Sequence, residues 1–259
     1  MTPVLVLKLL LVPALIYLVT AIGRRWGPEV AGWFSALPIV AGPILLTMAL
    51  EQGAGFAAAA AGHTILAVVA ILVFSIAYAW ASARLGIGAA MAVSLLAWAA
   101  SVAALQAVEL APLPGFLLVV CLLVLAPSLF PDLDAGAVPA GARPGGDLAP
   151  RMIAGAALSL SVSLGAAAMG ARLSGFLAMF PVMSTILTGF SHRACGRAFA
   201  VTLLRGMVRG YYAFAAFCLV LSLGLREGTL VSSFCIAALA ALVVQWLTRR
   251  RPAAAPKRA

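Results

Sequence analysis

Polar residues along this chain come in short clusters between long apolar runs, and those runs carry the pattern. A helix of about 20 apolar residues crosses roughly 30 Å of hydrocarbon at 1.5 Å per residue. Runs of that kind cover 4–22, 31–50, 55–80, 87–108, 112–130, 152–171, 174–191, 198–224 and 229–248. They predict an all-α polytopic membrane protein with about nine transmembrane helices. The fifth run has a short core bracketed by Pro112, Pro114, Pro127 and Pro131. The one substantial polar segment, 131–150, is rich in Pro, Gly and Asp and reads as an exposed loop.

Sliding the sequence along itself gives one offset that aligns features of several kinds: 143 residues, the distance from Gly27 to Gly170. Gly32 then lies on Gly175, Pro38 on Pro181, Gly53 on Gly196, Phe56 on Phe199, Phe74 on Phe217, and Lys8 on Arg151. Matches of Leu and Ala carry no weight in apolar sequence, but matched Gly, Pro and cationic positions do. The chain divides into a first four-helix repeat at 1–110, a linking helix and polar cytoplasmic loop at 111–150, a second repeat at 151–248 and a basic cytoplasmic tail at 249–259. Four helices per repeat alone would insert the second copy like the first. The unmatched fifth helix inverts it, and inverted repeats are the construction of many secondary transporters.

Composition agrees with a lipid solvent. Apolar residues make up 64% and charged residues 9%, where soluble chains run at about 25% charged. The net charge of +10 does not signal nucleic acid, because the cations sit in short loops and a tail and form no domain face. Anionic inner-leaflet lipid is their natural partner. With the N-terminus outside, the inner loops and tail hold Arg24, Arg25, Arg84, Arg143, Arg151, Arg193, Arg197, Arg249, Arg250, Arg251, Lys257 and Arg258, and the outer side only Lys8, Arg172 and Arg226. That bias predicts a C-terminus in the cytoplasm. Abundant Ala and Arg fit a bacterial inner membrane, and the first apolar run reads as a retained helix without a cleavage site. Trp26, Trp33, Trp80 and Trp246 fall near span ends as an aromatic belt does, while Trp98 lies deeper.

Leu7-Lys8, then Gly23-Arg24-Arg25-Trp26-Gly27 and Ala31-Gly32-Trp33-Phe34-Ser35-Ala36-Leu37-Pro38, resemble the opening of the GlpM-like family of small bacterial inner-membrane proteins. Ser174-Gly175-Phe176-Leu177-Ala178-Met179-Phe180-Pro181 echoes it. The resemblance implies a fused duplicate of one four-helix unit. It implies no chemistry, and the arginines inside the eighth helix depart from the pattern.

Four features could carry function. Pro38, Gly42 and Pro43 in the second span, and Pro181, Ser184 and Thr185 in the seventh, can open their helices near mid-bilayer, and paired broken helices mark binding sites. Arg205 and Arg209 share a face of the eighth helix, at a depth where arginine usually meets a bundle interior or wet cavity. Gly206 and Gly210 form a G-x-x-x-G that admits a close neighbour. His63, Glu51 and His192 are candidates for proton coupling or gating, with Glu51 able to pair an intramembrane arginine. Packing, kinking and interface roles remain the plain alternatives for each.

Cys121, Cys195, Cys218 and Cys235 show no ligand spacing, so neither a metal nor a cofactor is expected. No catalytic motif or paired intramembrane carboxylates occur, which argues against an enzyme. Two readings follow. One is a small secondary transporter or permease for an anionic solute bound between the two proline breaks. The other is a non-transporting assembly or accessory protein for envelope biogenesis or export, its arginines binding lipid or a partner.

Overall fold

Two glycines frame the architecture. Gly53 and Gly196 stand at φ +93° and +84°, a region where side-chain-bearing residues are strained. Each ends one helix and opens the next within a single residue. Gly53 donates its N–H to the Ala49 carbonyl and accepts from Ala57, and Gly196 repeats the arrangement with His192 and Ala200. The computed structural model describes residues 3–133, 147–168 and 180–249. Within them the chain runs α1 (Pro3–Trp26), α2 (Pro28–Ser35), α3 (Ala41–Gln52), α4 (Ala54–Ala81), α5 (Ile87–Leu105), α6 (Pro112–Leu129), α7 (Leu148–Ala168), α8 (Val182–Cys195), α9 (Arg197–Glu227) and α10 (Leu230–Leu247). No strand occurs among the described residues.

Six of these helices are long and apolar enough to cross a membrane: α1, α4, α5, α6, α9 and α10. The proline-bracketed fifth run is among them, as the 18-residue α6. The count falls short of nine where a run is interrupted and where a run is described only in part. The span expected at 31–50 is two short helices, α2 and α3, separated at 36–40. The run expected at 174–191 is described only from residue 180, where α8 follows. The apolar part of α7 is the shorter stretch Leu148–Val162. Residues 169–179, which carry most of the second copy of the motif together with Arg172, lie outside the described residues, as do Arg143 and the tail from 250.

α4 and α9 form the core. More than half of the most apolar stretch of each is buried, against 22% for α5, α6 and α10, whose outer faces present Leu96, Val124 and Leu239 as a lipid-facing helix must. The pair runs antiparallel: Arg197 at the start of α9 donates to the Ala79 carbonyl near the end of α4, and Ser222 near the end of α9 donates to the Ala58 carbonyl near the start of α4. α6 packs against both. The Trp80 indole of α4 donates to the Leu129 carbonyl at 2.8 Å, and Arg205 of α9 donates to the Pro131 carbonyl at 2.6 Å, so both central helices cap the end of α6. α5 lies on α4, α10 lies on α9, and α1 packs against α7.

The 143-residue offset reappears in the helix boundaries. It carries the end of α3 at Gln52 onto the end of α8 at Cys195. It likewise carries the start of α4 at Ala54 onto that of α9 at Arg197, and the start of α5 at Ile87 onto that of α10 at Leu230. Val12 and Gly155, equivalent at this offset, meet face to face where α1 crosses α7.

Candidate functional site

The two proline breaks share one backbone geometry. At the first, Ile39 N–H donates to the Leu37 carbonyl at 2.8 Å and Gly42 N–H to the Pro38 carbonyl at 2.8 Å. At the second, Val182 N–H donates to Phe180 at 2.8 Å and Thr185 N–H to Pro181 at 2.9 Å. All four positions correspond at the offset. A three-residue turn around each proline replaces the helical ladder, with Pro181 at φ −80° and ψ 61°, the inverse γ conformation. Pro43 then sits in the first turn of α3, where its missing N–H costs nothing. Pro181 is the residue before α8, which begins without a side-chain cap, so its early N–H groups lack intrahelical partners.

α9 is the common wall. Gly42 lies over the Phe217 ring, and Ser184 reaches Met207 Sδ at 3.6 Å and the Tyr211 hydroxyl at 3.4 Å. The two breaks therefore touch α9 six to ten residues apart, about 9–15 Å along its axis. Phe180, just before the second break, meets the buried Trp98 ring edge-on at 5.2 Å, and the Trp98 indole N–H has no protein partner. The Thr185 hydroxyl is also buried and unpartnered.

Below the second break, α8 turns one polar face inward. Ser184, Thr188, Ser191 and His192 recur at the spacing of one helix face. Ser191 accepts from Arg151 at 3.3 Å, and His192 Nδ1 shares a 2.8 Å hydrogen bond with the Tyr78 hydroxyl. Arg151 is only 1% exposed. It is held by Asp147 at 3.0 Å and lies over the Phe190 ring. At the equivalent positions of α3 stand Ala41, Leu45, Met48 and Ala49. Positions matched at the 143-residue offset thus share the backbone turn and not the chemistry. Sequence reading named Ser184, Thr185 and His192 but missed Thr188, Ser191, Tyr78, Tyr211, Trp98 and Arg151. The four-residue face on α8 was visible as a period. Its partners come from distant positions and were not.

The intramembrane arginines have protein partners. Arg209 is ion-paired with Glu29 of α2. Glu51, which could have paired such an arginine, is instead exposed at the end of α3 and in none of the ion pairs of the described residues. Arg205, besides its bond to Pro131, lies over the Phe130 ring. Sharing one face of α9, the two arginines nevertheless address α2 and α6 separately. The neighbour admitted by Gly206 and Gly210 is α2, whose backbone at Glu29 and Trp33 lies directly on them. His63 is exposed on α4. Of the candidate proton-handling groups, only His192 joins the buried network.

Charge neutralisation at α2–α9 sets an expected outcome. Arg209→Gln leaves Glu29 unpaired and lowers stability by about 1–2 kcal/mol, less than a fully buried pair because both side chains are partly exposed. Adding Glu29→Gln recovers most of the loss. Melting of the purified single and double variants measures the coupling, and equal losses in both would show that the pair contributes nothing.

Among the described residues the four cysteines are free, and no cluster of His, Cys, Asp and Glu could hold a metal. No protein-family model, curated protein or solved structure matches the chain.

Proposed function

We propose that the chain is a small secondary transporter or permease of a bacterial cytoplasmic membrane, built from two inverted copies of a GlpM-like four-helix unit. On this reading α2 with α3, and the segment ending in α8 with what precedes it, are two broken spans. Together with α7 and the six long helices they make nine. The N-terminus is outside and the C-terminus cytoplasmic.

The observation that carries the reading is the pair of matching γ-turns at Pro38 and Pro181. An unwound backbone inside a bundle is tolerated where it lines a cavity, and such pairs are the binding sites of inverted-repeat carriers. The antiparallel run of α4 and α9, equivalent helices at the offset, supports the inversion. Arg205 and Arg209 already hold protein partners. The donors left for a solute are the Met183 and Ser184 N–H groups in the first turn of α8, the Thr185 hydroxyl and the Trp98 indole, with the Ser184 hydroxyl held only by long contacts to Met207 and Tyr211. A site made of donors at a helix N-terminus suits a carboxylate- or phosphate-bearing solute.

A thermal-shift screen of small carboxylates and phosphates on purified protein tests this. A solute that raises the melting temperature of the wild type should bind Ser184→Ala about 10-fold more weakly, the loss of one hydrogen bond to a charged group. Pro181→Ala should weaken it further, while the Glu29→Gln/Arg209→Gln pair binds as wild type does. Binding untouched by Ser184→Ala and Pro181→Ala would move the site elsewhere. No solute-dependent shift across the screen would count against transport.

A further inference from the structure

We infer that the inward face of α8 lines an access route, closed in this structure and wetted when it opens, leading from the end of the bundle where Asp147 and Arg151 lie up to the break at Pro181. The inference rests on the transport reading and adds the side from which the site is reached.

Thr188 carries the argument. It is fully buried, at 0% exposure, and its hydroxyl has no protein partner. Hydroxyls on the spanning helices ordinarily bond back to the carbonyl four residues before. Thr64 does so at 2.7 Å, Ser75 at 2.8 Å and Ser94 at 2.6 Å. Thr188 does not, and neither does the buried Thr20 of α1, although the same bond is open to any helical threonine. Leaving a buried hydroxyl unsatisfied costs about 1–3 kcal/mol, which a well-packed apolar residue would avoid. The first copy has that residue: Leu45, buried at the equivalent position. The fold therefore does not require polarity on this face, and all four equivalent positions of α3 are apolar.

The polar groups on α8 also lead somewhere. Ser184 and Thr188 are one turn apart. Ser191 and His192 follow on the next turn, in contact with Arg151 of α7 and Tyr78 of α4. Arg151 is bonded to Asp147, whose side chain is 27% exposed. From Ser184 to His192 the file rises about 12 Å, along a helix of 14 residues that is about 20 Å long. Arg197 at the start of α9 lies at the same end, beside Ala79. A chain of hydroxyls ending in a buried arginine that reaches solvent through a carboxylate suits water and a solute carrying acceptor groups. Neither dry packing nor lipid calls for it.

Cysteine accessibility tests the route without knowledge of the solute. In a background with the four native cysteines replaced, single cysteines are placed at Ser184, Thr188 and Ser191, and at Ala41, Leu45 and Met48. The probe is a membrane-impermeant, cationic methanethiosulfonate, added to right-side-out and inside-out vesicles, with Arg193→Cys as the exposed control. The three α8 positions should react about tenfold faster than the three α3 positions, from the face that labels Arg193→Cys and not from the other. Thr188→Val, which keeps the shape and removes the hydroxyl, should slow labelling at Ser184→Cys while leaving Ser191→Cys unchanged. Equal sluggishness at all six positions, with the control reacting, would overturn the route. Equal reactivity at all six, or labelling from both faces, would overturn its one-sidedness. Labelling as expected without any bound solute would keep the route and remove the transport reading.

Discussion

Gly206→Leu is expected to yield protein that melts roughly 10 °C or more below wild type and aggregates on size exclusion. The seam between α2 and α9 is backbone against backbone. A side chain on Gly206 would collide with the Glu29 carbonyl, and one on Gly210 with the Trp33 carbonyl and Ala36. From the other side, one on Gly32 would collide with the Leu203 carbonyl. Ordinary overpacking costs about 1–3 kcal/mol because side chains yield. Here no flexible side chain can yield, so α2 has to leave α9. With only eight residues, α2 cannot persist unsupported. Its departure also breaks the Arg209–Glu29 pair, the 2.8 Å bond from Gln245 to the Trp33 carbonyl and the 3.2 Å bond from the Trp33 indole to Thr248. Gly55→Ala is the control. Nothing lies within 4 Å of its Cβ position, and helix propensity predicts a gain of up to about 1 kcal/mol. Gly206→Leu melting alongside wild type would mean the seam is not close-packed.

Arg151→Met is expected to lower the melting temperature by roughly 6–12 °C, from a loss of about 3 kcal/mol. Methionine replaces the stem but leaves Asp147 without its cation and Ser191 without its donor. Arg151→Lys should recover little, since an ammonium lacks the planar fork that meets Asp147 and Ser191 together while lying on Phe190. Removing the charge on both sides, with Asp147→Asn added to Arg151→Met, should restore part of the loss. Full stability in Arg151→Met alone would show that the pair is a surface contact in the folded protein.

The spans were legible because an apolar run has one physical meaning in this composition, and the 143-residue offset was legible because matched Gly and Pro positions are informative where Leu and Ala are not. The breaks were legible too, since Pro38 and Pro181 cannot donate to a helical ladder. The count of nine depended on reading interrupted runs as whole helices, which local hydropathy cannot distinguish. The arginines of α9 were found, but their partners were not. Glu29 is distant in sequence and sits beside a loop glycine, where a carboxylate attracts no notice. The exposure of His63 was not legible for a related reason: a histidine in an apolar run looks buried, and only the packing of α4 shows which way its face points. The polar face of α8 needed one further step, comparing each copy with the other position by position.

The single-residue elbows at Gly53 and Gly196 have a mechanical consequence. Each ties a short half-helix, α3 or α8, to the start of a long central helix while the proline at its other end leaves it loose. Such a segment can pivot about its elbow but cannot slide. Because α4 and α9 run in opposite directions, the two pivots stand at opposite ends of the core. The two half-helices are therefore hinged at opposite ends of one shared frame.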